Sequence, residues 1–216
     1  TLNLSPTTLS AIFSGRTTRW DDASIRADNA GARLPSTAIR VVHRSDPSGT
    51  TQAFSRFLRD AAPGSWTLGS GPTLSWATGV GADGSDGVVA AVAATSGSVG
   101  YVEAGQATRA GLGVAAVENG AGRFVLPTSA NVGSAVGGAN PEAPEAYPIA
   151  ALSQVVFSTA GVEGAKRTAL RHFVAWTLTE GQRSADRLGY SPVPLPVLVN
   201  AIATVQATED PGPGRP

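Results

Sequence analysis

Apolar residues follow two different periods along the chain, and one change between the periods stands out. Residues 39–42 form an apolar, β-branched run that is typical of a strand, whereas Phe54 and Leu58 recur at helical spacing. Pro47 disfavours helical geometry at the residue before it. We therefore predict a strand at 39–42, a short polar turn, and an amphipathic helix over 48–60.

The rest of the chain also mixes helical and strand-like patterns. Further helices are predicted at 4–13, 20–28, 85–95, 130–136 and 166–179, with another starting near Glu180, and further strands at 99–102, 124–126 and 149–157. Residues 137–148 contain three prolines, so we expect them to be extended and exposed to solvent. The stretch from Thr208 onwards is rich in Pro and Gly and is typical of a linker or a frayed end.

The polar turn after the first predicted strand has the composition of an anion site. The first N–H groups of a helix have no partner within the helix, and they lie at the positive end of its dipole. Ser48 and Thr50 add hydroxyl groups, while Gly49 lets the backbone approach a ligand closely. Arg44 supplies a planar guanidinium, which Asp46 is placed to orient.

A plainer interpretation of the same turn stays open. Ser48 caps a helix in that interpretation, and Arg44 and Asp46 form a surface ion pair that contributes less than about 1 kcal/mol. The composition of the turn does not decide between an anion site and a simple cap.

Several motifs, in a fixed order along the chain, resemble one family: the PstS phosphate-binding proteins, which deliver substrate to bacterial ABC transporters. The matching segments are residues 2–6, 12–15, 20–22, 42–51, 81–87, 97–103 and 188–196. Each segment is short, and the specificity of the resemblance lies in their order. The resemblance covers residues 1 to about 199.

The resemblance implies a fold of the periplasmic-binding-protein type II class, in which two α/β lobes close on a ligand. This chain would hold one nearly complete lobe and the C-terminal part of the other. The implied divisions are 1–140 for the phosphate-binding lobe, 141–148 for a crossover or hinge, 149–205 for the C-terminal part of the first lobe, and 206–216 for a Pro/Gly-rich tail.

The resemblance also implies a ligand and its contacts. Arg44, Ser48, Gly49 and Thr50 match the phosphate ligands of one lobe, with Asp46 supporting Arg44. The family carries a second anion loop, and an acidic ligand that accepts the phosphate proton, on an N-terminal segment that these 216 residues do not contain. Half of the expected site is therefore present.

The function implied is capture of inorganic phosphate for uptake, without a chemical reaction and without a cofactor. The implied partner is an ABC transporter permease, and the implied location is periplasmic or extracellular, with an anchor in a full-length parent. Two other classes stay open: an interaction domain that kept the fold and lost its ligand, and a phosphate-ester hydrolase, for which the sequence offers no evident nucleophile or metal cluster.

Composition narrows the partners. The chain has 16 basic and 16 acidic residues, so it lacks the positive excess of a nucleic-acid or anionic-membrane binder. It contains no cysteine, which excludes disulfides and thiolate sites, and no run of about 18 apolar residues that would indicate a membrane span. No secretory leader precedes Thr1, so we expect a signal or lipid anchor to have been removed or to lie outside these residues.

Other motifs are better explained by structure than by chemistry. Residues 79–84 fit the G-x-G-x-x-G dinucleotide pattern, with Glu103 near the distance of an acidic ribose ligand, but the preceding residues make a poor buried strand. We expect a tight turn there, with a helix opening after Gly84. Strand alternation directs His43 away from Arg44, and His172 lies in a helical stretch, so neither suggests a catalytic triad. The four scattered tryptophans suggest ordinary packing.

Overall fold

Parallel strand pairing around residues 40–44 organises the larger part of the fold. The computed structural model describes residues 1–136, 143–156, 162 and 164–207. Its strands are β1 (Asn3–Leu4), β2 (Arg40–Arg44), β3 (Val80–Ala82), β4 (Ser98–Val99), β5 (Ala116–Glu118) and β6 (Phe124–Val125). Its α-helices are α1 (Pro6–Phe13), α2 (Ala23–Asp28), α3 (Gly49–Ala61), α4 (Gly84–Ala94), α5 (Ala104–Arg109), α6 (Ser129–Val136), α7 (Gly164–Leu178) and α8 (Leu195–Ala207), with 3₁₀ turns at Glu180–Ser184 and Asp186–Leu188.

The described strands form two small sheets. In one, β2 lies between β3 and β4 and runs parallel to both, with Val42 opposite Val80 and Arg40 opposite Ser98. In the other, β1 pairs in parallel with β5, and β5 pairs in antiparallel with β6. The predicted α/β class is confirmed. Because β2 and β4 are parallel neighbours, the residues that follow them meet at one edge of the sheet.

Capping residues set where the first helices begin. Ser5 accepts a hydrogen bond from the N–H of Thr8 at 3.3 Å, and Pro6 occupies the first turn of α1, where no N–H is needed. Asp22 accepts one from the N–H of Ser24 at 2.9 Å. The helix predicted at 20–28 therefore begins only after Asp22.

The core lies between α1, α3 and the sheet around β2. Phe13 meets Phe54 edge to face with ring centroids 4.7 Å apart, and Phe54 stacks on Tyr101 at 4.8 Å. Ile12 and Leu58 are fully buried beside them. Complete burial of an aliphatic or aromatic side chain stabilises a fold by roughly 1.5–3 kcal/mol, so this cluster holds the strand-to-helix junction in place.

Most predicted helices are confirmed, with shifts of a few residues at their ends. Those predicted at 4–13, 48–60, 85–95, 130–136 and 166–179 correspond to α1, α3, α4, α6 and α7. The element near Glu180 is a 3₁₀ turn rather than an α-helix. Strands β1, β3 and β5 and helices α5 and α8 were not predicted, and Leu4, predicted to be helical, belongs to β1. The strand at 99–102 is shorter than expected.

The strand predicted at 149–157 is not formed. Residues 149–156 belong to no helix or strand, and residues 151–156 are all exposed, while Phe157 lies outside the described residues. The apolar sequence favours burial in a sheet, but no strand among the described residues lies alongside it.

The predicted crossover is more firmly attached than expected. Of 137–148, only residues 143–148 are described, and there Ala146 is buried. The side-chain amide of Asn119 donates to the carbonyl oxygens of Ala143, Pro144 and Ala146 at 3.0–3.3 Å. Solvent exposure is therefore wrong for Ala146, whereas Pro144 and Glu145 are exposed as expected. Helix α8 extends to Ala207, and the rest of the predicted tail, 208–216, lies outside the described residues.

Candidate functional site

The junction between β2 and α3 is built around Ser48. Its hydroxyl oxygen accepts hydrogen bonds from the N–H groups of Thr50, at 3.1 Å, and Thr51, at 3.3 Å. Its own N–H donates to the carbonyl of Pro72 at 2.9 Å. Ser48 is thus the N-cap that the plainer interpretation predicted. The N–H of Gly49 has no acceptor among the described residues, and its hydrogen is available to a ligand.

Arg44 is not part of a surface pair. Its side chain is only 12% exposed, and its guanidinium binds Asp46 through both Nε, at 2.7 Å from Oδ1, and Nη2, which donates to Oδ2. Its Nη1 donates to the hydroxyl of Ser85 at 3.2 Å. The guanidinium is therefore held in one orientation by two partners.

Asp46 is fixed from two sides. The guanidinium of Arg44, and then the N–H of Gly84 at 3.0 Å from Oδ1, hold the pKa of this carboxyl well below its usual range. The same ion pair raises the pKa of Arg44. Asp46 therefore carries a full negative charge at neutral pH, and it connects the turn after β2 to the first turn of α4.

Glu103 is the polar neighbour that the sequence did not single out for this site. Its Oε1 accepts the hydroxyl hydrogen of Thr50 and its Oε2 that of Ser85, each at 2.9 Å. Burial raises the pKa of this half-buried carboxyl, but hydrogen bonds from its own N–H, Thr50 and Ser85, together with the charge of Arg44, outweigh burial and lower it. Its position shortly after β4, the parallel neighbour of β2, is the signal that would have located it.

Tyr101 joins the junction to the core. Its hydroxyl oxygen accepts the N–H of Arg44 at 3.1 Å and lies 2.8 Å from the hydroxyl of Thr51. Burial raises the pKa of this phenol, so it is neutral at physiological pH. Because its ring stacks on Phe54, the position of the Arg44 backbone depends on the packing of the core.

The charges around the junction disfavour the binding of an anion in the present arrangement. Arg44 contributes one positive charge, while Asp46 and Glu103 contribute two negative ones. A hydroxyl group has a single hydrogen, and that of Thr50 is given to Glu103. An anion at this junction therefore either takes the hydrogen of Thr50 from Glu103 or brings a proton of its own.

The four predicted ligand residues line one open cleft of about 1820 Å³. Arg44, Ser48, Gly49 and Thr50 lie on one wall together with Ser85 and Glu103. Residues 149–155 and part of residues 177–194 line the same cleft. The structure thus brings the predicted residues together at a cleft, and their binding of phosphate remains a prediction.

Other candidate chemistry does not assemble in the part of the chain that the structure describes. His43 stacks on Trp76 with ring centroids 4.9 Å apart, and its Nδ1 lies 3.1 Å from the carbonyl of Arg44. His172 is exposed on α7. Among the described residues, no group of three or more His, Cys, Asp or Glu could hold a metal ion, and no helix is long and apolar enough to cross a membrane.

The glycine-rich segment 79–84 serves the sheet. Residues Val80–Ala82 form β3 beside β2, and α4 begins at Gly84 itself rather than after it. Gly79 has φ +100°, and a Cβ there would lie 2.7 Å from the carbonyl oxygen of Val41. Close backbone approach therefore explains this glycine.

Comparisons with known proteins give a consistent result. A family model described as a PBP superfamily domain matches residues 1–180. The phosphate-binding protein PstS of Xylella fastidiosa is 35% identical, and the match covers 96% of this chain and 61% of that protein. The phosphate-binding protein PstS of Pasteurella multocida is 34% identical, with 91% and 61% covered.

A solved structure agrees with the sequence relatives. A high-affinity periplasmic phosphate-binding protein, PfluDING, determined with bound phosphate, superposes with a TM-score of 0.69 at 26% sequence identity. The superposition covers 95% of this chain and 65% of that one. The chain thus spans about three fifths of the length of the curated relatives that it matches.

Proposed function

The chain belongs to the PBP superfamily, and from that premise we propose that it is part of a substrate-binding protein that captures inorganic phosphate for an ABC transporter. The names of its relatives support phosphate as the ligand, because phosphate-binding proteins from two bacteria match nearly the whole chain. In this proposal 1–140 is the phosphate-binding lobe, 141–148 the crossover, 149–205 the C-terminal part of the other lobe, and 206–216 a tail.

The observation that carries the proposal is the fixed guanidinium beside a helix N-terminus. Arg44 is held by Asp46 and Ser85 at the cleft where α3 begins. A tetrahedral oxyanion bound there would accept hydrogen bonds from Arg44, from the N–H of Gly49 and from the hydroxyls of Ser48 and Thr50. Asp46 supports Arg44 and does not line the cleft itself.

Binding would make or break no bond, so the proposal is of a receptor and not an enzyme. Delivery to a permease, a periplasmic or extracellular location, and an anchor in a full-length parent belong to the same proposal, and they rest on the family alone. The rival is a domain of the same fold that has lost its ligand. The negative charge of Glu103 beside Thr50 is the observation that favours this rival.

The test is a calorimetric titration of the 216-residue chain with phosphate, sulfate and a phosphate ester. We expect phosphate to bind and Arg44→Ala to weaken it at least about 100-fold, because two charge-assisted hydrogen bonds contribute roughly 1.5–3 kcal/mol each. The substitution also leaves the negative charge of Asp46 without its counter-ion near the anion.

Arg59→Ala is the matched control, because Arg59 also pairs with a neighbouring aspartate but lies on the surface. Its affinity for phosphate should equal that of the natural sequence. Absence of heat with every anion would support the interaction domain, and turnover of the ester would overturn the receptor proposal.

A further inference from the structure

Glu103 places a negative charge of the chain itself between two helix N-termini. Its carboxylate accepts the hydroxyl hydrogens of Thr50, in the first turn of α3, and of Ser85, in the first turn of α4, each at 2.9 Å. A helix N-terminus favours negative charge, because its first N–H groups lie at the positive end of the helix dipole. The surroundings that hold this carboxylate would therefore also stabilise a bound oxyanion.

The carboxylate is also connected to the guanidinium of Arg44. Ser85 accepts a hydrogen bond from Nη1 of Arg44 at 3.2 Å, and it donates its single hydroxyl hydrogen to Glu103. Arg44, Thr50, Ser85 and Glu103 all line the cleft. Two hydroxyl hydrogens at the cleft are therefore committed to a group of the protein and not to a ligand.

The helix that follows Glu103 does not require its carboxylate. Glu103 occupies the N-cap position of α5, but its side chain makes no capping hydrogen bond there. It instead contacts residues that lie 53 and 18 positions away in the sequence. The long-range contacts of this side chain thus belong to the cleft.

We propose that Glu103 is a specificity-determining residue of the anion site, which competes with an external anion for the hydroxyl hydrogens of Thr50 and Ser85. This inference rests on the proposed function, since it requires an anion to bind beside Arg44. An anion without a proton, such as sulfate, must take those hydrogens from the carboxylate and bind against its charge. Hydrogen phosphate can donate a proton of its own, so Glu103 opposes phosphate less than sulfate.

The test is Glu103→Gln in the 216-residue chain, titrated by calorimetry with sulfate and with phosphate at the same pH. The substitution removes the charge and keeps the shape of the side chain. The carboxamide presents one oxygen to one hydroxyl and an NH₂ group to the other, whose hydrogen then becomes available to the anion. We expect the affinity for sulfate to rise about tenfold or more, and that for phosphate to rise by a smaller factor.

A second variant covers the case in which the carboxamide disturbs the site. Glu103→Ala releases both hydroxyl hydrogens, so it should also raise the affinity for sulfate more than that for phosphate. A side chain that only supported the structure would give the opposite result, because its removal would weaken the binding of both anions.

Glu118→Gln is the matched control. Glu118 is also half-buried, but it lies on β5 and does not line the cleft, so its substitution should leave both affinities unchanged. Circular dichroism checks that all three variants fold.

The outcomes separate this inference from the proposed function. If the natural sequence binds phosphate and neither variant of Glu103 binds sulfate more tightly, this inference is overturned and the proposed function stands. Binding of phosphate by the variants of Glu103 alone would support the inference and contradict the receptor proposal for the natural sequence. Absence of binding by every protein would overturn both.

Discussion

The pKa of Asp46, which lies beside the candidate anion site, is strongly lowered. The guanidinium of Arg44 and the N–H of Gly84 hold its pKa far below the usual range. A carboxyl with a lowered pKa stabilises the folded state fully above its unfolded pKa, about 3.9 for Asp. That stabilisation is lost as the pH falls through the folded pKa. Acid therefore releases Arg44 from its partner.

The direction of this pKa shift gives a prediction for Asp46→Asn. The substitution should lower the free energy of unfolding at pH 6, and its difference from the natural sequence should narrow as the pH falls below about 4. Urea unfolding followed by circular dichroism at a series of pH values measures both effects.

Asp60→Asn is the control, since Asp60 pairs with Arg59 at an exposed position and such pairs contribute little in salt. A difference between Asp46→Asn and the natural sequence that stays constant from pH 6 to about 3 would contradict the role given to the Arg44 contact.

Single residues could be located from the sequence where the signal is local. Ser48 and Asp46 lie within four positions of Arg44, and the order of a strand, a proline and a helix is enough to place them together. Glu103 contacts Thr50 across 53 positions of sequence. That contact depends on β4 lying beside β2, which no local pattern reveals.

At the scale of elements, the start of α3 depends on its cap. We expect Ser48→Ala to lower the free energy of unfolding by about 1 kcal/mol, because the N–H groups of Thr50 and Thr51 lose their acceptor. Chemical denaturation measures the change. Ser36→Ala, in an exposed loop, should change stability by less than about 0.5 kcal/mol. Equal stability of Ser48→Ala and the natural sequence would show that the cap contributes nothing.

Helix α3 and the segment 149–157 show how the same kind of apolar signal can have different outcomes. The amphipathic pattern of α3 predicted the helix correctly, and its apolar residues Phe54 and Leu58 are buried in the core. Residues 149–157 show the apolar pattern of a buried strand, yet the described part of this segment is exposed. An apolar pattern indicates that a segment can be buried. Only the structure shows whether another element packs against it.

At the scale of the whole molecule, burial is uneven. The core cluster around α1, α3 and β2 contains fully buried Ile12, Phe13 and Leu58. Among the described side chains of α7, Val174 is the one that is buried. Regions with few buried apolar contacts open at a lower free energy than the core.

We therefore expect amide hydrogen exchange in α7 to be at least about 100-fold faster than in α3, relative to unstructured rates. Native-state exchange measured by mass spectrometry gives both values on the same sample, with α1 as the internal reference for the core. Equal protection of α3 and α7 would mean that the chain unfolds as one cooperative unit.

The family of the molecule could be recognised from the sequence because its motifs keep their order along the chain. Periodicity located most of the helices, while the α/β class was implied by the resemblance. The contribution of the C-terminal residues to the cleft could not be predicted from these patterns, since it depends on tertiary packing. The structure shows that residues 149–155 line the same cleft as Arg44.

The aromatic rings beneath the junction have a practical consequence. Tyr101 accepts the N–H of Arg44, and its ring stacks on Trp76 at 5.9 Å, which in turn stacks on His43. A movement at Arg44 therefore reaches an indole through one intervening side chain. Ultraviolet emission of the unlabelled protein can consequently serve as an optical indicator of what happens at the cleft.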